Sequence, residues 1–310
     1  MRSNVQEIHR LAAATEEMKT GLRSFQKYVP AELVRSLLSS GLEARLGGER
    51  RVVTICFSDI ADFTPIAESV APETLVELLG EHLSILSEQI HNSGGTIDKY
   101  MGDAVMAFWN APLPNPTHAL AACQAAVRGR DRLHELQLRA KNAGNPVFSA
   151  RFGIHTGEAL VGNMGSETRL NYTVIGNNVN LASRLEGLNK HFGTEIMISD
   201  ATFQDVSESV VARPLNWVAV QGKTEATLVY ELLGLKGEVD AAAEQLVELS
   251  AAALAAYRKQ NWAEAIEWCE RTLRLRAGDR PSQILIARCR AYCEKPPGEK
   301  WDKIHRMQSK

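Results

Sequence analysis

At 310 residues, 45% hydrophobic and 23% charged, the chain has room for one α/β domain of ordinary size and a smaller accessory unit, and its composition is that of a globular protein, neither disordered nor membrane-spanning. A formal net charge of −2, with acids and bases interspersed, gives no basic field to draw it onto nucleic acid or an anionic membrane. Five scattered cysteines, Cys56, Cys123, Cys269, Cys289 and Cys293, lack C-x-x-C pairing, which argues against a disulfide framework or a zinc site and for a reducing cytoplasm.

At the N-terminus the series Ile8, Leu11, Thr15, Met18, Leu22, Phe25 follows 3-4 spacing. It reads either as the seam of a short parallel coiled coil, hence a dimerising leader, or as an amphipathic helix packed on its own domain. Glu7, Glu16 and Glu17 rule out the apolar core of a secretory signal. Pro30 ends this helix, and an apolar-faced segment over 33–42 precedes Gly47-Gly48, so 1–46 is predicted to be a leader and linker. Arg51 to Ser58 reads as a buried strand running into Asp59-Ile60-Ala61-Asp62-Phe63-Thr64-Pro65, with Thr64 as N-cap and Pro65 as first helical residue. A strand that delivers an acid to a helix N-terminus makes a corner suited to phosphate and metal.

A helix is predicted over Pro72 to Asn92, stopped by Gly94-Gly95, and two strands, 96–100 and 104–109, flank a turn at Met101-Gly102-Asp103. The uncharged stretch Ala104 to Val127 contains Asn110, three prolines, Asn115 and His118, so it is no spanning helix. A helix over 117–142 and a strand over 148–155 follow, and Gly153, Gly157, Gly162 and Gly165 read as punctuation. A short strand at 172–175, a helix at 177–192 and strands at 195–198, 215–220 and 227–232 complete the unit. The order βαββαβ with additions predicts a ferredoxin-like α/β sandwich over 47–235. Beyond Gly237 the Ala, Leu and Arg periodicity, with Tyr257, Trp262, Ala265 and Leu273 spaced as in a tetratricopeptide-like hairpin, predicts a helical accessory domain over 236–310.

Asp59 and Asp103, at turn positions of adjacent strands, read either as turn-formers and caps or as acids that share a pair of hard cations bridging triphosphate oxygens. Asp62 is expected to be a solvated first-turn acid. His155 is expected to be a satisfied structural histidine, and no other side chain stands out as a general base. Gly222-Lys223-Thr224 is no P-loop, because Trp217 occupies the place of its first glycine and a strand follows.

Phe57-Ser58-Asp59-Ile60-Ala61-Asp62-Phe63-Thr64, Lys99-Tyr100-Met101-Gly102-Asp103-Ala104 and Val179-Asn180-Leu181-Ala182-Ser183-Arg184-Leu185-Glu186 together resemble the three signature blocks of class III adenylate and guanylate cyclases. The resemblance implies that Asp59 and Asp103, with Ile60, bind two Mg²⁺ or Mn²⁺ ions. It makes Lys99 and Thr173 the purine-reading pair, Asn180 and Arg184 the residues that orient the ribose and stabilise charge on the α-phosphate, and Lys223 a ligand of the terminal phosphates. Phe63 and Thr64 join the nucleotide-binding set, and Arg169 is a second phosphate candidate. A Lys–Thr pair suits ATP: adenine N1 accepts from lysine and a hydroxyl accepts from the 6-amino group, whereas guanine would want a carboxylate. The family pattern further implies a head-to-tail homodimer with shared sites. The leader resembles the end of a HAMP-type signalling helix, which implies an upstream receptor or sensor; the C-terminal helices are the expected place for a protein partner. A guanylate cyclase, or a non-catalytic nucleotide-binding scaffold, are the rival readings.

Overall fold

The central strand is buried on both faces, and the rest of the architecture follows from covering it. In the structure, a computed structural model that describes residues 2–25, 45–142, 144–166, 168–219, 226–298 and 301, β1 (Gly47–Ile60) lies between β3 (Ala104–Trp109) and β4 (Ala150–Ser166), antiparallel to both. Its Val53 and Ile55 point to one side and Thr54 and Cys56 to the other, all shielded from solvent, so the strand reads as a nearly continuous apolar run. Helix α2 (Phe63–Ser69) follows it, then α3 (Pro72–Asn92), β2 (Thr96–Met101), β3, and α4 (His118–Asn142) before β4. Beyond β4 come β5 (Arg169–Ile175), α5 (Asn177–Phe192), β6 (Ile196–Ser199), α6 (Asp200–Val206), β7 (Val210–Ala219) and β8 (Ala226–Leu235). The sheet order is β2-β3-β1-β4-β6-β8-β7, with β5 paired to β4. Its β2-β3-β1-β4 portion, joined through α3 and α4, is the predicted βαββαβ ferredoxin-like unit.

Two cores sandwich the sheet. On one face Leu86, Ile90, Ala122 and Ala126 from α3 and α4 pack on Cys56, Trp109, Phe152 and Ile154. On the other, Ala182 of α5 and Val174 of β5 pack on Val53, Ile55, Met106 and Phe108. The β4–β5 hairpin reaches over this second face, with Tyr172 tilted against Phe108 at a ring separation of 6.1 Å. Helix α5 sits unusually close to β4 because of Gly153: a Cβ there would lie 2.1 Å from Glu186 N and 2.4 Å from Ala182 O. Buried Asn189 fixes the far end of α5, donating to Phe152 O at 2.8 Å and accepting from Thr194 Oγ1 at 2.7 Å.

The C-terminal residues form α7 (Ala241–Arg258), α8 (Trp262–Leu275) and α9 (Arg280–Glu294). Tyr257, Trp262, Tyr292 and Trp301 meet in one aromatic cluster, with Tyr257 and Trp262 rings 5.4 Å apart. Arg213 of β7 clamps this layer to the sheet: it donates to Glu231 at 2.5 Å and to Asp279, the N-cap of α9, at 2.7 Å, and its side chain is 1% exposed. Removing Arg213 would take this guanidinium from two buried carboxylates, Glu231 and Asp279.

Several expectations need correction. The helix after β1 starts at Phe63, with Asp62 as N-cap in the left-handed region at φ 53°, so Thr64 lies inside the first turn. A short polar side chain such as Asp tolerates that conformation best among non-glycine residues. Strand β4 runs 17 residues rather than ending at His155. The glycines read as punctuation stay in the strand because other atoms occupy the place of a Cβ: Gly47 O 2.2 Å from it at Gly162, Arg169 O 2.2 Å at Gly165, and the Asn178 side chain 2.5 Å at Gly157. Arg169 begins β5 instead of lying in a loop. Strands β7 and β8 are longer than predicted, and α6 was not anticipated. In the leader, α1 (Arg2–Phe25) keeps Ile8, Leu11 and Met18 more than 60% exposed, so this stretch of the seam is not packed on the chain's own sheet. The segment 33–42 lies outside the described residues, as do Val220 and Lys223.

Gly153→Ala is expected to lower unfolding free energy by about 1–3 kcal/mol, the usual cost of overpacking, read in urea unfolding. An unchanged midpoint would mean that α5 is free to lift from the sheet.

Candidate functional site

Strand register builds a carboxylate corner. The Ser58↔Val105 pairing brings the end of β1 alongside the β2–β3 turn, where Gly102 at φ +69° allows the tight reversal that presents Asp103. Ile60 N donates to Asp103 Oδ2 at 3.3 Å. On the other side, Asp59 pairs in register with Arg151 of β4, whose guanidinium stands 3.6 Å from Asp59 Oδ2 and donates to Glu186 of α5 at 3.2 Å. Sequence reasoning passed over Arg151 and Glu186. Arg151 becomes conspicuous only when the β1–β4 register is known; Glu186 closes the third signature block and could have been weighed as a third acid.

Asp59 and Glu186 thus share one guanidinium, and Asp103 stands close enough to act on both acids. Burial, followed by a hydrogen bond and repulsion from Asp103, pushes the Asp59 carboxyl up to about 6, with Arg151 opposing. Burial, followed by repulsion from Asp59, pushes Glu186 up to about 7, again against Arg151. The corner is short of positive charge, and its free donors are hard oxygens, which fits a divalent cation of the Mg²⁺ type. Among the described residues no group of three or more His, Cys, Asp and Glu side chains is arranged to hold a metal alone. An ion here would take one or two carboxylates and complete its shell with water, substrate phosphate and backbone carbonyl, as Mg²⁺ habitually does. The buried side chain of Ile60 has no donor, so only its carbonyl is available for that role.

A second group forms where β5 reaches β2. The β2–β3 register shifts between Ile97 and Lys99, a bulge at Asp98, and bulges re-aim side chains. Asp98 is 1% exposed and lies 3.2 Å from the Lys99 ammonium, while the Thr173 hydroxyl donates to its other oxygen. Lys99 and Thr173, far apart in sequence, are therefore bridged by a carboxylate that the sequence reading did not single out. The third group is on α5: Asn180 and Arg184, one turn apart, are both exposed on its outer face while Leu181, Ala182 and Leu185 are buried beneath them.

The remaining candidates are peripheral within one chain. Phe63 is half-buried, edge-on to Phe148 at 6.0 Å, and Thr64 is exposed. Arg169 is exposed and its backbone N–H is taken by Ser166 Oγ. Asp62 is solvated, paired with Lys190 at 3.1 Å. His155 has Ser199 Oγ on Nδ1 at 2.7 Å and Asn178 Oδ1 on Nε2 at 3.1 Å, the environment of a structural histidine.

A family model described as the adenylate and guanylate cyclase catalytic domain matches residues 48–234, and the chain belongs to that family. Among curated proteins it is 40% identical over 233 residues to adenylate cyclase 1 of Rhizobium meliloti, covering 75% of this chain and 35% of that protein. It is 33% identical over 247 residues to the adenylate cyclase of Anabaena cylindrica, covering 74% and 49% respectively. The chain thus spans half or less of these relatives. Its fold matches the adenylyl cyclase CyaB from P. aeruginosa with a TM-score of 0.58 at 33% identity, over 63% of this chain and 100% of that one. The guanylyl cyclase Cya2 matches equally well, at 0.58 and 31%, over 63% and 98%. Family and fold therefore leave the choice of purine to the site.

Because Asp59 is harder to ionise folded than unfolded, its own contribution to stability is fully present below the ordinary carboxylate range and is lost as pH rises through about 6. Asp103→Asn removes the repelling neighbour. It should raise the metal-free melting temperature at pH 7.5 by a few degrees, as for about 1 kcal/mol, and by less at pH 5, where Asp59 is protonated anyway. Calorimetry at the two pH values checks this.

Proposed function

We propose that this chain is an adenylate cyclase, converting ATP to 3′,5′-cyclic AMP and pyrophosphate at sites shared across a homodimer. The observation that carries the reading is the convergence of Asp59 and Asp103 in a corner deficient in positive charge, in a chain that also exposes the Asn180–Arg184 pair on α5. The Lys99–Thr173 pair favours ATP over GTP. Residues 47–235 act as the catalytic unit, 1–46 as a signalling leader and 236–310 as a tetratricopeptide-like accessory unit for a protein partner. The setting is the cytoplasm; among the described residues no helix is long and apolar enough to cross a membrane.

In this scheme one copy supplies Asp59, Ile60 and Asp103, with the phosphate-facing Phe63 and Thr64 at the first turn of α2. The second copy supplies Lys99 and Thr173 to the adenine, Asn180 to the ribose, Arg184 to the α-phosphate, and Lys223 to the terminal phosphates, with Arg169 nearby. The apolar Val52, Leu160 and Ile175, each at least 39% exposed, provide surface for the second copy to cover. The ribose 3′-oxygen attacks the α-phosphorus in line, forming the O3′–P bond as the bond to the bridging oxygen of pyrophosphate breaks. Arg184 stabilises the charge that grows on the α-phosphoryl oxygens. No side chain is placed as a base, and the 3′ proton passes to water or to a substrate phosphate oxygen. Two divalent cations held by Asp59 and Asp103 would supply Lewis acidity, lowering the pKa of the 3′-hydroxyl and neutralising the triphosphate.

Purified wild type and Asp103→Ala, each given ATP or GTP with Mg²⁺ or Mn²⁺, provide the test. Cyclic AMP from wild type, with at least a hundredfold loss in the variant, is the expected outcome. Cyclic GMP as main product would favour the guanylate cyclase reading, and no cyclic product under either metal would favour a nucleotide-binding scaffold.

A further inference from the structure

The bulge in β2 places a buried carboxylate between the two residues assigned to the purine. Asp98 is almost fully shielded, yet nothing in its local sequence requires an acid there, and an unpaired carboxylate so placed would be costly. Its two oxygens are divided: Oδ1 faces the Lys99 ammonium at 3.2 Å and Oδ2 takes the hydrogen of the Thr173 hydroxyl.

We infer that Asp98 is a specificity-determining positioning residue, which fixes the hydrogen-bond polarity of the Lys99–Thr173 pair so that it accepts adenine and rejects guanine. The inference rests on the reading of Lys99 and Thr173 as the purine-contacting pair. A threonine hydroxyl has one donor and two acceptor lone pairs, and is by itself indifferent to whether a ligand presents an amino group or a carbonyl. An ionised carboxylate only accepts. Once the Thr173 proton is committed to Asp98, the threonine oxygen is left with lone pairs alone. It then matches the adenine 6-amino donor and opposes the lone pairs of guanine O6.

The same carboxylate holds one N–H of Lys99 and aims the others at the acceptor N1 of adenine, where guanine would present an N–H. Both mismatches fall on groups that are desolvated in a bound complex, the situation in which hydrogen-bonding sites discriminate most strongly. Asp98 itself touches no substrate. The bulge matters because a regular strand would send the side chains at 98 and 99 to opposite faces.

The test is steady-state turnover of ATP and GTP by wild type, Asp98→Asn, Thr173→Ala, Lys99→Ala and the double variant Asp98→Asn with Thr173→Ala. An asparagine can turn its amide donor to the threonine, freeing the hydroxyl to donate to guanine. Asp98→Asn should therefore lower kcat/KM for ATP at least tenfold, mostly through KM, and raise the GTP-to-ATP ratio at least tenfold. In the Thr173→Ala background the same change should move the ratio less than twofold.

If Thr173→Ala and Lys99→Ala shift the ratio while Asp98→Asn leaves it unchanged, or lowers both substrates equally through kcat, the role given to Asp98 is overturned and the purine pair stands. If neither Thr173→Ala nor Lys99→Ala alters the ratio, the purine-pair reading itself falls. Thermal melting of each variant separates misfolding from either result; should Asp98→Asn fail to fold, Asp98→Glu, which keeps the acceptor but displaces it, is expected to raise KM for ATP with the ratio still favouring ATP, and a ratio reversed by Asp98→Glu would also overturn the inference.

Discussion

A surplus of partly buried negative charge beside the Arg151 guanidinium is the constraint on which the rest of the site depends. Asp59 and Glu186 converge on Arg151, and Asp103 lies against Asp59 and the Ile60 N–H. Burial, and after it the closeness of the other carboxylates, makes Asp59 and Glu186 ionise reluctantly and raises both. A fold keeps such an arrangement when something positive completes it in the working state, and stability is given up for that purpose. The corner is assembled by β1, the β2–β3 turn, β4 and α5, so changes in any of these reach the same charges.

The link between sheet and helix is steric as much as electrostatic. Gly153 lets α5 approach β4 so closely that Glu186 can reach Arg151, and Asn189 ties the helix to the strand at its other end. With α5 held there, its outer face presents Asn180 and Arg184 in fixed relation to the carboxylates beneath. One element therefore contributes an inward acid to the corner and an outward pair that a second copy could use. The Arg213 clamp performs a comparable service for the C-terminal helices, whose N-cap Asp279 is held by a residue of the sheet.

Much of this was legible in the sequence because it lies in local signals. The helix over Pro72–Asn92 and the one over Asn177–Phe192 have the predicted bounds, since an N-terminal proline and terminal glycines delimit them. Asp59 and Asp103 stood out as acids at the end of an apolar strand and at a hairpin tip, and the hairpin brings them together. What escaped depends on pairing across the chain. Arg151 acquires its meaning from the β1–β4 register, Glu186 from a missing Cβ one strand away, and Asp98 from a bulge. The glycines of β4 were misread for a related reason: in isolation they weaken a strand, and only the backbone or side-chain atoms lying across them explain their presence. Asp62 shows the local counterpart, a cap whose left-handed backbone starts the helix ahead of the more obvious Thr64–Pro65 signal.

The central claim is that the carboxylate corner of one copy works with the α5 face of another. Its most direct test is co-expression of Asp59→Ala with Asn180→Ala, each nearly inactive alone. The account predicts recovery to about a quarter of wild-type cyclic AMP formation, because half the dimers would be mixed and each of those would hold one intact site of two. Mixtures no more active than the separate variants, with dimers present, would contradict it.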